Sequence, residues 1–452
     1  MVPVEFIIKE GDENLTSHSG LALVGALLNR TELVQRADST VLPGCQEPRI
    51  FHGDVLKLFL GLLCMAKPDY DAIEEFREIP FFMESLGIAR CPASPALRQR
   101  LDVVNGTFDG IIKEGSAKLI CSTAPEIGTI TTGEGERVPL DADVSPFDNS
   151  KTKKEGVSRT YKGNDGFAPM LTHLGKEGYQ VNVELREGCQ HSQRNTPPFL
   201  RKTIRYAKMA TEKDILLRLD TGNDSLENIA GCIEERVDWL IKRNLRRENP
   251  SDWLKIAQEK GTQWSPREGK KVWRGEIYRE VVGFDKPLRI VFEVAERTTK
   301  KGQALLIPEV EVDTYWTSLA DDPLQIVLLY HDHGTSEQFH SEIKSNMALE
   351  RLPSEHFSTN SDILALVLPA NNLLLRLCGQ ESLREDNGNL TNRAAYRKKA
   401  ARRRLRTVIQ DFIYMAGRIS VHARWLYISF GRYNPWAAVW ENLYRGFMAP
   451  VT

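Results

Sequence analysis

The 452-residue chain carries 60 Lys and Arg against 61 Asp and Glu, which gives a formal charge of −1. A hydrophobic fraction of 41% and a charged fraction of 27% are typical of folded globular proteins and exclude global disorder. The longest apolar runs, Leu58–Ala66 and Ile363–Ala370, are far shorter than the roughly 18 residues that span a membrane, so no membrane partner is expected. The length predicts roughly two to four domains.

The balanced charge hides an uneven distribution. Residues 381–452 carry 13 Lys and Arg against five Asp and Glu, a net of +8, so the first 380 residues carry −9. Such a difference between parts of one chain favours a polyanionic partner for its basic end.

The cysteines and the N-terminus indicate the compartment. The seven cysteines are scattered and form no CxxC pair, so neither structural zinc nor a disulfide framework is predicted. The first residues, MVPVEFIIKEGDEN, lack the basic segment and the cleavage site of a signal peptide. These features predict a cytoplasmic protein.

Residues 1–130 are predicted to form a helical domain. Helical periodicity covers Gly20–Leu33, Asp54–Ala66 and Ala72–Leu86. A further helix is predicted from Ser94 as N-cap, and it carries Arg98 and Arg100. Two helices joined by a short turn match a helix-turn-helix outline, which favours binding to DNA ends, although ordinary helix packing gives the same pattern.

Residues 136–244 are predicted to form the first part of a mixed α/β sheet domain. The predicted strands are Val138–Val144, Phe167–Leu174, Tyr179–Leu185, Asp214–Leu219 and Asp238–Ile241. The predicted helices are Thr196–Ala210 and Asp224–Arg236.

The rest of the chain is predicted to hold three regions. Alternating segments at Val272–Phe284, Leu288–Glu296 and Ala304–Val312 indicate an inserted β-rich subdomain at 245–316. An α/β pattern returns at 317–380, with the apolar segment Gln325–Tyr330 and a helix from about Ser336. Residues 381–452 are predicted to be a basic helical C-terminal region.

Three acidic residues occupy positions where a sheet presents chemistry. Asp143 lies near the end of the first strand, Asp220 directly follows the buried strand ILLRL, and Glu337 begins a helix. Three convergent carboxylates would bind hard divalent cations such as Mg²⁺. An Asp after a strand is also a common turn former, and Asp141 competes with Asp143 because both point to the same strand face.

The helix that carries Glu337 adds a second pattern. Glu337, Ser341 and Lys344 recur at i, i+4 and i+7 and therefore share one helical face. This is either an ordinary charge pattern or a metal-binding carboxylate beside a phosphate-binding ammonium.

The chain resembles bacterial insertion-sequence transposases of the DDE class. The resemblance is carried by LDADVSPFDNSKTKKEGVSRTYKG, LLRLDTGNDSLENI and LYHDHGTSEQFHSEIK. One group of that class has a β-strand insertion before the third acid and a Tyr-Arg-Glu-Lys signature. Tyr330, Glu337 and Lys344 match the signature in register, whereas His333 stands where the group has Arg.

The resemblance implies an RNase H-like core with Asp143, Asp220 and Glu337 as the catalytic and metal-binding acids. It implies two Mg²⁺ or Mn²⁺ ions, cleavage at transposon ends and strand transfer into target DNA, with a hairpin intermediate as one route. The implied partners are the double-stranded terminal inverted repeats and target DNA, with a homodimer in the synaptic complex and association with the bacterial nucleoid. The alternatives are an RNase H-like nuclease without strand transfer and a catalytically inactive, domesticated DNA-binding transposase.

Several side chains are predicted to contact DNA. Tyr330, His333 and Lys344 are carried over from the signature. Basic residues in the loop after the first acid and in the C-terminal region are predicted to neutralise phosphates, although solvated charged segments give the same pattern. These are Lys151, Lys153, Lys154, Arg159 and Lys162 in the loop, and Arg402, Arg403 and Arg404 on a helix predicted for the basic run 397–406.

Overall fold

The computed structural model describes residues 5–43, 45, 48–123, 127–300, 303–377, 382–383 and 402–449. The chain divides into two compact units, one of Met1–Arg100 with Leu373–Thr452 and one of Leu101–Asn372. Among the described residues, no helix is both long enough and apolar enough to cross a membrane.

The N-terminal part of the first unit is helical. Its elements are β1 (Leu15–Thr16), α1 (Leu21–Leu28), α2 (Leu33–Asp38), α3 (His52–Cys64), a 3-10 helix (Tyr70–Glu75), α4 (Pro80–Leu86) and α5 (Ser94–Val104), which continues into the second unit. The predicted helix over 72–86 is interrupted, because Pro80 lacks an amide hydrogen and begins a new helix after the extended residue Ile79. Ser94 begins α5, and its hydroxyl is hydrogen-bonded to the carboxylate of Asp71 rather than to its own helix.

The second unit is built on one large mixed sheet. Before the insertion it contains α6 (Asp109–Ser122), β2 (Ile130–Thr132), β3 (Gly135–Val144), β4 (Phe147–Asp148), β5 (Ser158–Arg159), β6 (Asp165–Phe167), β7 (Met170–Leu174), β8 (Tyr179–Glu184), α7 (Thr196–Ala210), β9 (Ile215–Leu219), α8 (Leu226–Glu234) and β10 (Asp238–Lys242). The core strands run in the order β8-β7-β3-β9-β10. β7 and β8 pair antiparallel next to β3, and β9 and β10 run parallel to it, which is the arrangement of an RNase H-like core. The predicted fold class is confirmed.

The segment predicted as a β-rich insertion continues this sheet. It comprises α9 (Pro250–Lys260), β11 (Thr262–Arg267), β12 (Lys270–Arg279), β13 (Leu288–Lys300) and β14 (Gln303–Thr317). β14 pairs antiparallel with β10, so strand β10 is covered on the side that would otherwise be an open edge. Tyr315 of β14 also shares one buried cluster with Leu216 of β9 and Leu240 of β10.

The helices that follow the insertion complete the second unit. They are α10 (Pro323–His331), a 3-10 turn (Asp332–Thr335), α11 (Ser336–Ser341), a π-helical turn (Glu342–Asn346) and α12 (Phe357–Leu375), whose last residues belong to the first unit. The apolar segment 325–330 is helical because Asp322 accepts hydrogen bonds from the amides of Leu324 and Gln325, and Pro323 stands at the first helical position.

The described part of the C-terminal region is not purely helical. It contains α13 (Leu405–Val408), a π-helical turn (Ile409–Ile413), β15 (Gly417–His422), β16 (Trp425–Phe430) and α14 (Ala437–Met448). β15 and β16 form a hairpin whose two connecting residues, Ala423 and Arg424, both have positive φ. Arg402, Arg403 and Arg404 precede α13 in irregular backbone, so the helix predicted for them begins only at Leu405, and residues 397–401 lie outside the described residues.

Candidate active site

Asp143 and Asp220 are brought together by the register of two parallel strands. Ala142 of β3 pairs with Leu219 of β9, so the next residues along both strands are the two aspartates. Asp143 accepts a hydrogen bond from the amide of Val144 (2.7 Å), and Asp220 accepts one from the side-chain amide of Asn223 (2.8 Å). Both carboxylates are thus held at the carboxyl ends of neighbouring parallel strands, where open α/β sheets bind ligands.

Glu337 reaches the same place from α11. The three acids line one cavity of about 640 Å³. Aromatic, cationic and imidazole side chains from three segments complete its wall: Tyr161, Lys162, Tyr330, His333, His340 and Lys344. The structure therefore gathers all three predicted acids, and all three residues carried over from the signature, around a single cavity.

The surroundings of Asp141 and Asp143 shift the pKa values of the two carboxyl groups in opposite directions. Burial raises the pKa of Asp143 to about 6, and the neighbouring charge of Asp220 adds to this. Burial also acts to raise the pKa of Asp141, but Arg218 and His333 outweigh it and hold that pKa well below the usual range. Asp143 lines the cavity and Asp141 does not, so the structure separates two residues that the strand pattern alone leaves equivalent.

The donor set suits a divalent cation. Carboxylate oxygens are the ligands that Mg²⁺ prefers. A divalent cation would also offset the negative charges of Asp143 and Asp220, which repel each other. Over the part of the chain that the structure describes, no three His, Cys, Asp or Glu side chains are drawn together closely enough to form a ready-made metal site. The chemistry of the three acids fits a metal, and all three residues line the same cavity.

His340 is a site residue that the sequence analysis overlooks. Its ring is buried, and its Nδ1 lies 3.9 Å from an oxygen of Asp143. Within the described part of the chain, its Nε2 has no hydrogen-bond partner. Burial, followed by the neighbouring His173, lowers its pKa well below the ordinary value, so the ring is neutral at physiological pH. Its position three residues after Glu337 on a helix would have indicated proximity to the acids.

Two lysines border the cavity. Lys344 is half-buried over the ring of Phe147 (5.5 Å), and burial followed by the charge of Lys162 lowers its pKa. Lys162 is exposed, and the adjacent Tyr161 donates a hydrogen bond to the carbonyl of Val144 (3.3 Å), next to Asp143. Tyr161 is a second residue that the sequence analysis does not single out, although it lies within the motif that follows the first acid.

The remaining basic residues of the loop differ in their surroundings. Lys151 and Lys153 are exposed, and Arg159 is exposed beside Asp165 (3.4 Å). Lys154 instead donates a hydrogen bond to the carbonyl of Leu352. None of these four lines the cavity of the three acids.

In the first unit, the predicted DNA-contacting arginines make internal contacts. Arg98 lies over the ring of Tyr70 (5.2 Å), with its side chain otherwise exposed. Arg100 donates to Cys45 (2.5 Å) and contacts the ring nitrogen of His52 (2.7 Å).

The three C-terminal arginines differ in exposure. Arg403 is buried with its guanidinium 4.4 Å from the ring of Trp436, whereas Arg404 is exposed and Arg402 is intermediate.

The comparisons with known proteins identify the family. The family model for the transposase DDE domain, group 1, matches residues 7–448. The chain belongs to the DDE transposase family. Members of this family are DNA transposases that bind DNA and generally use divalent metal ions. The recognised family is thus confirmed.

One solved structure similar to this transposase is the cryo-EM structure of a piggyBac transposase synaptic complex with hairpin DNA. The sequence identity is 10%, the match covers 90% of this chain and 82% of that one, and the TM-score is 0.39. The comparison with curated proteins gave no match.

Proposed function

We propose that this transposase cuts DNA at transposon ends and joins the freed ends to target DNA, with Asp143, Asp220 and Glu337 as its catalytic acids. The observation that carries the proposal is the convergence of these three side chains, from β3, β9 and α11, on one cavity. Two Mg²⁺ or Mn²⁺ ions held by the three carboxylates would activate the attacking oxygen and stabilise the leaving oxygen of a phosphodiester.

The other cavity residues are suited to hold DNA. Lys162 and Lys344 place two ammonium groups at the cavity, where each would neutralise a phosphate next to the reacting one. Tyr330 presents a ring at the same wall, with the ammonium of Lys242 5.8 Å from its centre. Lys151, Lys153 and Arg159 would extend this contact along the DNA backbone, because they are exposed on the loop that precedes Lys162.

We propose that His333 holds the carboxylate of Asp141 in place rather than binding a phosphate. Its ring is buried, and its Nδ1 lies 3.0 Å from the carboxylate of Asp141. Its Nδ1 is therefore placed for Asp141 rather than for a phosphate, and the residue also lines the cavity.

The reaction is tested with end-labelled donor DNA and a target plasmid in the presence of Mg²⁺. The proposal predicts that the full chain cuts at the transposon end and yields a joined donor–target product. A hairpin at the donor end, visible on a denaturing gel, would establish the hairpin route, and its absence would leave direct joining. Cleavage without any joined product would favour the nuclease alternative, and DNA binding without cleavage would favour an inactive transposase.

The assignment of the acids is tested by single substitutions. Asp143→Asn, Asp220→Asn and Glu337→Gln are each expected to abolish cleavage and to leave end binding within about threefold, because each removes one metal-binding charge without changing shape. Glu227→Gln is the control, since Glu227 is exposed on α8, seven residues after Asp220 in the sequence, and does not line the cavity. Cleavage by any of the three variants at the rate of the control would remove that residue from the site.

Pairing of two transposon ends would require two copies of the chain, so we infer a homodimer in the complex with DNA. Sedimentation of the full chain with and without transposon-end DNA tests this. A complex containing one chain per pair of ends would contradict it.

A further inference from the structure

A buried arginine joins three segments behind the cavity. Arg218 lies in β9 and is almost fully buried. Its Nε and Nη2 donate to the two carboxylate oxygens of Asp141 (2.7 and 2.8 Å). Its Nη1 donates to the carbonyl of Leu329 (2.9 Å) and to the carboxylate of Asp332 (3.1 Å). One planar guanidinium thus connects β3, β9, the end of α10 and the turn that follows it.

The segments joined by Arg218 carry the three acids or lead directly to them. Asp141 stands two residues before Asp143 in β3, and Arg218 stands two residues before Asp220. Since side chains two apart on a strand share a face, the network lies on the same side of the sheet as the two aspartates. Asp332 precedes Glu337 by five residues, and the intervening turn leads directly into α11.

His333, on the same turn, makes a second close contact with Asp141. Its Nδ1 lies 3.0 Å from Asp141 Oδ1, the oxygen that accepts the hydrogen bond from Arg218 Nε. Asp141 is therefore held by one cation from β9 and one imidazole from the turn before Glu337. The carboxylate of Asp141 is contacted from two sides and can therefore rotate little. These contacts fix the distance between β3 and the turn that precedes Glu337.

We propose that Arg218 is a positioning residue that sets the separation of Asp143, Asp220 and Glu337 through Asp141, Asp332 and His333. The inference rests on the proposed function, in which these acids hold the metal. Arg218 itself does not line the cavity, so it would act on the metal site only through the residues it holds. Its role depends on the shape of the guanidinium, because a lysine has the charge but not the planar fork that reaches four oxygens at once.

The test measures Mn²⁺ binding to the full chain without DNA, by the loss of the free Mn²⁺ signal in electron paramagnetic resonance. Arg218→Met and Arg218→Lys are both expected to weaken Mn²⁺ binding by roughly 10–100-fold, the effect of removing groups that orient metal ligands. The matched control is Arg289→Met. Arg289, on β13, is also a buried arginine that donates hydrogen bonds to a carboxylate and two carbonyls, and it does not line the cavity of the three acids. Its replacement is expected to leave Mn²⁺ binding within about twofold.

A double variant separates positioning from folding. Arg218→Met leaves the buried Asp141 without its arginine partner and should lower the melting temperature. Arg218→Met combined with Asp141→Leu removes both buried charges and should recover stability. Positioning predicts that the double variant still binds Mn²⁺ weakly. Wild-type binding by a folded double variant, or by Arg218→Lys, would overturn the proposal, as would a wild-type chain that binds no Mn²⁺.

The cleavage reaction distinguishes this proposal from the proposed function. At saturating DNA, the Arg218 variants are expected to need a roughly 10–100-fold higher Mg²⁺ concentration for half-maximal cleavage and to regain part of the rate at high Mg²⁺. If wild type binds Mn²⁺ but cuts no DNA, the proposed function fails while the binding measurements still decide the role of Arg218.

Discussion

Replacing Asp143, one of the three acids proposed to be catalytic, by Asn is expected to stabilise the metal-free protein. The pKa of Asp143 is raised from an ordinary value of 3.8 to about 6, by burial and by the charge of Asp220. Each pH unit of such a difference corresponds to about 1.4 kcal/mol, so at neutral pH the ionised side chain costs up to roughly 3 kcal/mol of folding free energy. Asp143→Asn removes the charge and keeps an oxygen that can accept the hydrogen bond from Val144.

The pH dependence gives the sign of this effect. Between pH 3.8 and about 6 the folded chain retains a proton on Asp143 that the unfolded chain has released. Stability is therefore lost as the pH rises through this interval, and the cost is complete above it. The advantage of Asp143→Asn should appear at pH 7.5 and disappear at pH 4.

The assay is thermal unfolding in EDTA at low ionic strength and at several pH values. At about 2 °C per kcal/mol for a unit of this size, the melting temperature of Asp143→Asn should exceed that of wild type by roughly 5 °C at pH 7.5. Asp141→Asn, the same change two residues earlier, should lower it, because Arg218 and His333 then lose the charge they share. If Asp143→Asn and wild type had equal melting temperatures at pH 7.5, ionised Asp143 would not destabilise the folded chain. The same conclusion would follow if the increase in melting temperature were as large at pH 4 as at pH 7.5.

Three further predictions follow from individual contacts. Gly178→Ala would place a methyl group 2.8 Å from the ring of Phe339, two residues after Glu337 on α11, so cleavage should fall more than end binding in a single-turnover assay. Arg403→Ala should lower the melting temperature, because the side chain of Arg403 is buried. Arg404 is exposed, so Arg404→Ala should leave the melting temperature unchanged and reduce the salt dependence of DNA binding by the equivalent of about one phosphate contact. Lys162→Ala should weaken DNA binding similarly for all sequences, as measured by fluorescence anisotropy.

The core strands could be predicted from the sequence because their pattern is local. Alternating or continuous apolar residues mark β3, β7, β8, β9 and β10, and their observed bounds lie close to the predicted ones. The pairing of β14 with β10 could not be predicted, since it joins residues more than 70 positions apart and leaves no local signal. The hairpin of β15 and β16 was missed because its turn uses Ala423 and Arg424 instead of Asn or Gly.

The candidate site was predictable in its acids but not in its supporting residues. A period of two places Asp141 and Asp143 on one strand face, and only the position of Arg218 distinguishes the buried, paired aspartate from the one at the cavity. Arg218 did leave a signal, because a single charge within the apolar strand ILLRL predicts a buried partner. The burial of His333 could not be read from sequence, since it depends on how the turn after α10 packs on β3.

Asp143, Asp220 and Glu337 are proposed to hold the catalytic metal together. The most direct test is a crystal structure of the full chain with Mn²⁺, located by anomalous scattering. We predict Mn²⁺ in the cavity, bound by oxygens of Asp143, Asp220 and Glu337, with Asp141 still paired to Arg218. Mn²⁺ bound by Asp141, or bound only outside this cavity, would contradict it.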